Sequence, residues 1–234
     1  MEFQSPLVSG KLVQRYKRFL ADIDFEDGRE PVTVHVPNPG AMLGLATPGF
    51  TAYLSTSPNP NRKYKHTLEM IGWPDGTLIG VNTGHPNPLV VEAIENGLLP
   101  ELAPYSTIRR EVKYGKNSRI DILLERDEAP ATYVEVKNVH LFREPGLAEF
   151  PDCVTARGAK HLEELGDMVE LGHRAAMVFL VQANIADRFA IAADLDPKYS
   201  ESFERAMKRG VEVFIVACEL DLTGIKPVRQ ISLA

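Results

Sequence analysis

Cysteine is almost missing from this chain. Its 234 residues include two, Cys153 and Cys218, far apart and without metal-ligand spacing. That excludes a disulfide scaffold and a zinc module, and reads as reduced core thiols in a cytosolic protein. No apolar run approaches the ~18 residues of a transmembrane helix. The opening stretch MEFQSPLVSGKLVQRYKRFL has no continuous apolar segment, so it is not read as a secretory signal. Net positive charge is lacking as well. The formal charge is −6, which argues against indiscriminate coating of nucleic acid. No internal repeat, low-complexity segment, helix-turn-helix or zinc finger is visible. What remains is one large or two small soluble domains, 44% apolar and 25% charged, able to bury a core without staples.

The charge is uneven. Cations gather in KLVQRYKR (Lys11, Arg15, Lys17, Arg18), NRKYKH (Arg62, Lys63, Lys65) and IRREVKYGKNSR (Arg109, Arg110, Lys113, Lys116, Arg119). Acid collects in DIDFEDGRE and in His161 to Glu170. A locally basic face on an acidic protein is therefore open, alongside the plainer reading of three solvated loops.

Up to about residue 85 the pattern is all-β. Five runs (GKLVQRYKRFLADIDF, PVTVHVP, FTAYLSTS, HTLEMIGW, TLIGVNT) are separated by Gly/Pro/Asn turns, which suits a small OB-like barrel. Within it, VPNPGAMLG holds Asn38 between two prolines in a stiff loop. SPNPNRKYKHT ends in Arg62, Lys63, Tyr64 and Lys65, cations interleaved with an aromatic, as a phosphate-and-base surface requires. TGHPNPL marks a break, giving expected domains 1–84 and 85–234. A helix is expected to open at Pro88 or Leu89 and stop at Gly97, with Glu92 among its apolar positions. Three strand-like runs follow, TIRREVKY, SRIDILLE and TYVEVKNV, then a loop-rich passage, VHLFREPGLAEFPD. TARGAKHLEELGDMVELG reads as a helix with Leu162, Leu165, Met168, Val169 and Leu171 on its apolar side and Gly172 at its end. Arg157, Lys160 and His161 at its start oppose the macrodipole, at a cost of a few tenths of a kcal/mol that a phosphate or an acidic neighbour would offset. RAAMVFLVQ is a strand buried on both faces, closed by Gln182. KYSESFERAMKRG is a helix with Tyr199, Phe203, Ala206 and Met207 inward, and VEVFIVACEL is a last buried strand. This order is α/β with a mixed central sheet.

The stretch SRIDILLERDEAPATYVEVKN organises the second half. Glu135 and Lys137 flank Val136, so strand alternation puts them on one face. A hairpin that brings Asp121 beside that face gathers two carboxylates and an ammonium. Paired carboxylates form a hard-oxygen site for Mg²⁺ or Mn²⁺, and a lysine one strand step away can orient water or stabilise phosphate charge. The pattern D…E-x-K resembles the active-site motif of the PD-(D/E)XK nuclease superfamily. Alone it is a loose match, and an exposed strand face with a surface ion pair looks the same.

Taken in order, PLVSGKLVQRYKRFLAD, VPNPGAM, SPNPNRKY, LVVEAI, IRREVKYGKNSRIDILL, YVEVKNV, FPDCVTARGAKHLEEL and the strand ending VQ resemble the sugar fermentation stimulation protein family over nearly the whole chain. The resemblance implies an N-terminal OB-like β-barrel followed by an α/β PD-(D/E)XK nuclease-like domain with a mixed central sheet. It implies nucleic-acid binding, DNA ahead of RNA, no membrane, and a regulatory link to sugar metabolism. Carried over by position, the metal carboxylates fall on Asp121 and Glu135, the motif lysine on Lys137 and a helix acid on Glu92. Arg157 and Lys160, and more weakly Gln182, match accessory positions. Arg62, Lys63, Lys65, Arg109 and Arg110 complete the expected nucleic-acid contacts, with Asn38 as an accessory residue. One loop departs: the family pattern P-N-T-G-S-M is PNPGAM here, so Pro39 and Ala41 replace two hydroxyl residues. The expectation is a Mg²⁺- or Mn²⁺-dependent nuclease. The competing readings are a non-catalytic DNA-binding regulator on a vestigial nuclease fold and, on the family's name alone, a sugar or nucleotide sensor. The oligomeric state is open, a homodimer included.

Overall fold

A computed structural model describes residues 1–115 and 118–234. Lys116, counted above among the basic residues, lies outside the described residues. The first half is built from β1 (Val8–Tyr16), β2 (Leu20–Asp24), β3 (Val32–His35), β4 (Thr51–Thr56), β5 (His66–Gly72) and β6 (Leu78–Gly80). β1 pairs antiparallel with β2 and with β4, β2 with β3, and β4 with β5. A parallel contact, His35 against Thr67, joins β3 to β5 and closes a five-stranded barrel in the order β1-β2-β3-β5-β4. The run expected as one strand, GKLVQRYKRFLADIDF, is a hairpin. It reverses at Lys17 and Arg18, both at positive φ (49° and 64°). Tyr16 pairs with Leu20, so the turn is the three residues Lys17–Phe19, and no Gly or Asn marks its two left-handed positions in the sequence.

The second half opens with α1 (Pro86–Glu95), which starts before the expected Pro88 or Leu89. Pro86 takes the first helical position, where its missing N–H costs nothing. The elements that follow are β7 (Thr107–Tyr114), β8 (Ser118–Glu125), β9 (Thr132–Val139), β10 (Leu141–Glu144), β11 (Leu147–Phe150) and α2 (Ala156–Glu170). Next come β12 (Arg174–Val181), β13 (Arg188–Ile191), α3 (Pro197–Lys208), β14 (Glu212–Leu220), β15 (Ile225–Gln230) and β16 (Ser232–Leu233). The central sheet runs β15-β14-β12-β9-β8-β7, with β9, β12 and β14 parallel and the outer strands antiparallel. This is the expected mixed sheet. Leu89, Val90 and Ile94 of α1 pack on one face with Val134 and Val136. Leu162 and Leu165 of α2 and Tyr199 and Phe203 of α3 pack on the other, in a core that continues into the barrel. Each buried aliphatic side chain there contributes ~1.5–3 kcal/mol.

Three expectations change. VHLFREPGLAEFPD is not mainly loop: β10 and β11 form a hairpin in a small second sheet, β10-β11-β13-β16. The turn residues Pro145 and Gly146 belong to the hairpin itself. Met207 is 40% exposed and Leu171 is 70% exposed, so neither joins the apolar face of its helix. Met207 falls in the last turn of α3 and Leu171 just past the end of α2, where the helix is running out of its packed face.

The halves meet through polar contacts as well. The Gly80 N–H donates to the Gln182 carbonyl (2.8 Å), and a β-carbon on Gly80 would sit 2.7 Å from Gln182 Oε1. The Met42 N–H donates to Asp152 Oδ2 (2.8 Å), and a β-carbon on Gly40 would approach the same carboxylate to 2.8 Å. Backbone approach this close requires glycine at both places.

Candidate metal centre

Toward the site, the ladder between β8 and β9 runs as far as the pair Ile122 with Val134. One step on, the antiparallel register sets Asp121 opposite Glu135. There the ladder gives way: Asp121 Oδ2 accepts the Val136 N–H itself (2.8 Å), and Oδ1 accepts Asn87 Nδ2 from the first turn of α1 (3.0 Å). Ile120 packs in the core on the α2 side and Ile122 in the core on the α1 side, so strand alternation breaks at Asp121. Its neighbour on β7, Glu111, lies between the pairs Arg110–Ile122 and Val112–Ile120 and holds φ at +55°. A glutamate at positive φ is strained, and such outliers gather at functional sites. Asn87 Nδ2 also lies 3.4 Å from Glu111 Oε1.

Glu135 is 1% exposed. Lys137 Nζ donates to its Oε1 (2.5 Å), and His161 Nδ1, from α2, donates to the same oxygen. Arg157 Nε donates to His161 Nε2 (3.3 Å), which leaves the ring proton on Nδ1. Two donors therefore crowd Oε1, while Oε2 is buried without a partner.

The electrostatics follow. Burial, then the charge of Glu135, push the Asp121 carboxyl above its ordinary range, and the Val136 N–H and Lys137 only partly offset them. Burial also acts to raise Glu135, but Lys137 and His161 outweigh it and hold that carboxyl low. One charged carboxylate thus penalises its neighbour, a strain that a cation between them relieves. The residues fit Mg²⁺ or Mn²⁺ on these grounds: a bare buried carboxylate oxygen and a second carboxylate beside it. Among the described residues, no group of three His, Cys, Asp or Glu side chains forms a ready-made cage. Mg²⁺ needs none, since it is usually held by one or two carboxylates with waters and substrate phosphates completing the octahedron.

Asp121, Lys137 and Asn87 line a cleft of about 540 Å³ between the two halves, with Asn38, Pro39 and Gly40 on the barrel side. Asn38 is 1% exposed. Its Nδ2 donates to the Val81 carbonyl (3.0 Å) and lies 3.4 Å from His140 Nε2, and its Oδ1 accepts the Gly40 N–H (2.9 Å). Gln182 donates to Asn138 Oδ1 (2.7 Å) and to the Asn82 carbonyl (3.3 Å), bracing the strand that carries Lys137.

The other expected residues lie elsewhere. Glu92 is turned from the cleft and accepts the Met1 amino group (2.8 Å); Asn87 is the α1 residue that reaches the site. Lys160 donates to Ser118 Oγ (3.1 Å) and sits 3.4 Å from Glu164, the acidic neighbour that offsets its place at the helix start. Arg62 donates to Thr67 Oγ1 (2.8 Å), Lys63 stacks over Tyr64 (5.3 Å) and Lys65 is exposed, all on the barrel surface. Arg109 faces Glu125 (3.4 Å) on the edge strand, with Arg110 exposed beside it. The sequence reading missed Asn87, Glu111 and the contact of His161 with Glu135. The i, i+4 spacing of Arg157 and His161 was the one available signal.

Comparison with known proteins agrees with this architecture. Residues 13–81 match the "SfsA N-terminal OB domain" and residues 84–224 the "Sugar fermentation stimulation protein RE domain". Sugar fermentation stimulation protein homologs of Brucella ovis and Brucella melitensis are each 56% identical over 225 residues, 96% of this chain and 94% of theirs. The solved structure of Pyrococcus furiosus SfsA in complex with Ca²⁺ superposes with a TM-score of 0.89 at 27% identity, over 100% of this chain and 98% of that one. The chain belongs to the sugar fermentation stimulation protein (SfsA) family.

Proposed function

We propose that this protein binds DNA and hydrolyses a phosphodiester with Mg²⁺ or Mn²⁺ at Asp121, Glu135 and Lys137. The observation that carries the reading is Glu135: a buried carboxylate with one oxygen clamped by Lys137 and His161 and the other bare, beside Asp121. The Ca²⁺ in the complex of the Pyrococcus furiosus relative supports it, because Ca²⁺ and Mg²⁺ both seek oxygen ligands. When bound, the cation supplies Lewis-acid stabilisation of phosphate charge and acidifies a water. The chain's own groups do the rest. Asp121, anchored by Val136 and Asn87, and Glu135 hold the cation. Lys137 places its ammonium where a water is oriented and negative charge develops. Arg157, exposed on the first turn of α2, contacts phosphate and passes the contact through His161 to Glu135. The barrel and the cations Arg62, Lys63 and Lys65 hold the flanking strand. The protein acts in the cytoplasm, consistent with its free Cys153 and Cys218.

Cleavage of labelled DNA and RNA with Mg²⁺ or Mn²⁺ tests this, comparing the native chain with Lys137→Ala. Metal-dependent cleavage that falls at least ~100-fold in the variant is the expected result. Binding by both proteins without cleavage would instead favour a DNA-binding regulator on a vestigial nuclease fold, in keeping with the phenotype that names the family.

A further inference from the structure

The two walls of the cleft are rigid. On the barrel side, Arg15 holds the Asn38–Ala41 loop through the carbonyls of Asn38 and Gly40 (2.8 Å each) and Ala41 (3.2 Å). Asn38 ties that loop to Val81, and Met42 ties it to Asp152 on the opposite wall. Behind the cleft, Gly80 and Asn82 are bonded to Gln182, and the buried Glu69 accepts from Asn82 and His85 (2.7 Å each). Opening the cleft would strand several of these buried polar groups at ~1–3 kcal/mol each, which opposes widening it for a ligand.

About 540 Å³ lies within the ~300–1,000 Å³ of clefts that take one small-molecule ligand. A nucleotide is an object of that size. A duplex sets a second, paired strand beside every nucleotide and needs more room than that. Of the groups that define the proposed chemistry, Asp121 and Lys137 line this space and Glu135 does not: the Lys137 side chain is 15% exposed, and that of Glu135, bonded to it, is 2% exposed. A phosphate on the outside of a duplex stops at the rim.

The rim carries a cation. Arg18 lines the cleft at the left-handed turn between β1 and β2, and among the described residues its side chain forms no ion pair. The same cleft is lined by the acids Glu111, Asp121 and Asp152 and by Lys137 and His140. An unpaired guanidinium in the cleft that Asp121 and Lys137 also line is placed for a second phosphate of the same strand.

From these observations we infer that the cleft admits one nucleic-acid strand and excludes a duplex, with Arg18 gripping a phosphate next to the one at the metal. The inference rests on the proposed phosphodiesterase reading and names its substrate class: single-stranded DNA or RNA, including frayed or flapped ends.

The chain carries its own reporter. Cys153 lines the cleft and is half-buried, whereas Cys218 is fully buried. The experiment follows the rate of Cys153 modification by a thiol reagent on the full chain with Ca²⁺. It adds a single-stranded DNA, the same sequence as RNA, or the blunt duplex. Either single strand is expected to slow modification at least ~10-fold and the duplex less than ~2-fold. Arg18→Asn keeps a residue suited to positive φ and removes the charge. It should weaken protection roughly 10-fold and lower the salt slope by about 0.7. Equal protection by the duplex overturns the inference and leaves the nuclease reading standing. Metal-dependent cleavage with Cys153 unprotected by every strand also overturns it. Neither protection nor cleavage sinks the reading beneath it. Unchanged protection in Arg18→Asn removes Arg18 from the grip.

Discussion

Two buried glutamates, one in each half of the molecule, differ in how fully their oxygens are satisfied. Glu69 in the barrel and Glu135 in the central sheet are 5% and 1% exposed, and each has a histidine partner. In each, hydrogen bonds and nearby charge overcome burial and hold the carboxyl below its ordinary range. At Glu69, Ser55 takes one oxygen, and Asn82 and His85 take the other. At Glu135 both donors fall on Oε1, Oε2 is left bare, and Asp121 stands next to it. A satisfied buried carboxylate locks a fold. One with a bare oxygen beside a second carboxylate has a place left for the cation proposed above.

The largest expected effect separates the two sites by metal affinity. Glu135→Gln or Asp121→Asn should weaken Mn²⁺ or Ca²⁺ binding at least ~100-fold, about 2.7 kcal/mol, in a calorimetric titration. Glu69→Gln should leave it unchanged. Loss of affinity in the Glu69 variant would erase the distinction. The next effect runs the other way. Glu69→Gln turns an amide N–H₂ toward groups that donate, at a cost of ~1–3 kcal/mol, and should lower Tm by about 5 °C.

The smallest effect uses a third carboxylate, Asp152, which sits in the cleft but is satisfied by the Met42 N–H and His140. Burial acts to raise it, yet His140 and the Met42 N–H bring it down to about 2. A depressed carboxyl stabilises the fold above the ordinary carboxylate range, and the contribution is lost as pH falls from about 4 toward 2. Asp152→Asn should therefore cost ~1–2 kcal/mol at neutral pH and flatten the stability curve in that window, as followed by urea unfolding. Unaltered acid unfolding would mean that position in the cleft, and not satisfaction, decides a carboxylate's role.

The face shared by Glu135 and Lys137 was legible from strand alternation, and Asp121 from the hairpin that precedes them. The barrel was legible from short runs between turn residues. The helix acid was not. Glu92 and Asn87 are five positions apart, ~140° around a helix, and the start of α1 at Pro86 decides which one meets β8. The reversal at Lys17 and Arg18 was hidden because neither residue favours positive φ. His161 was visible as a cation at a helix start, but its partner on β9 is a product of packing α2 across the sheet. Local sequence carries no record of such contacts.

The most direct test of the central claim is the anomalous difference map of crystals soaked in Mn²⁺. The account predicts a peak between Asp121 and Glu135, within ~2–2.5 Å of Glu135 Oε2. It would be contradicted by no peak there, or by a peak only at the acidic surface around Glu2, Glu92 and Glu219.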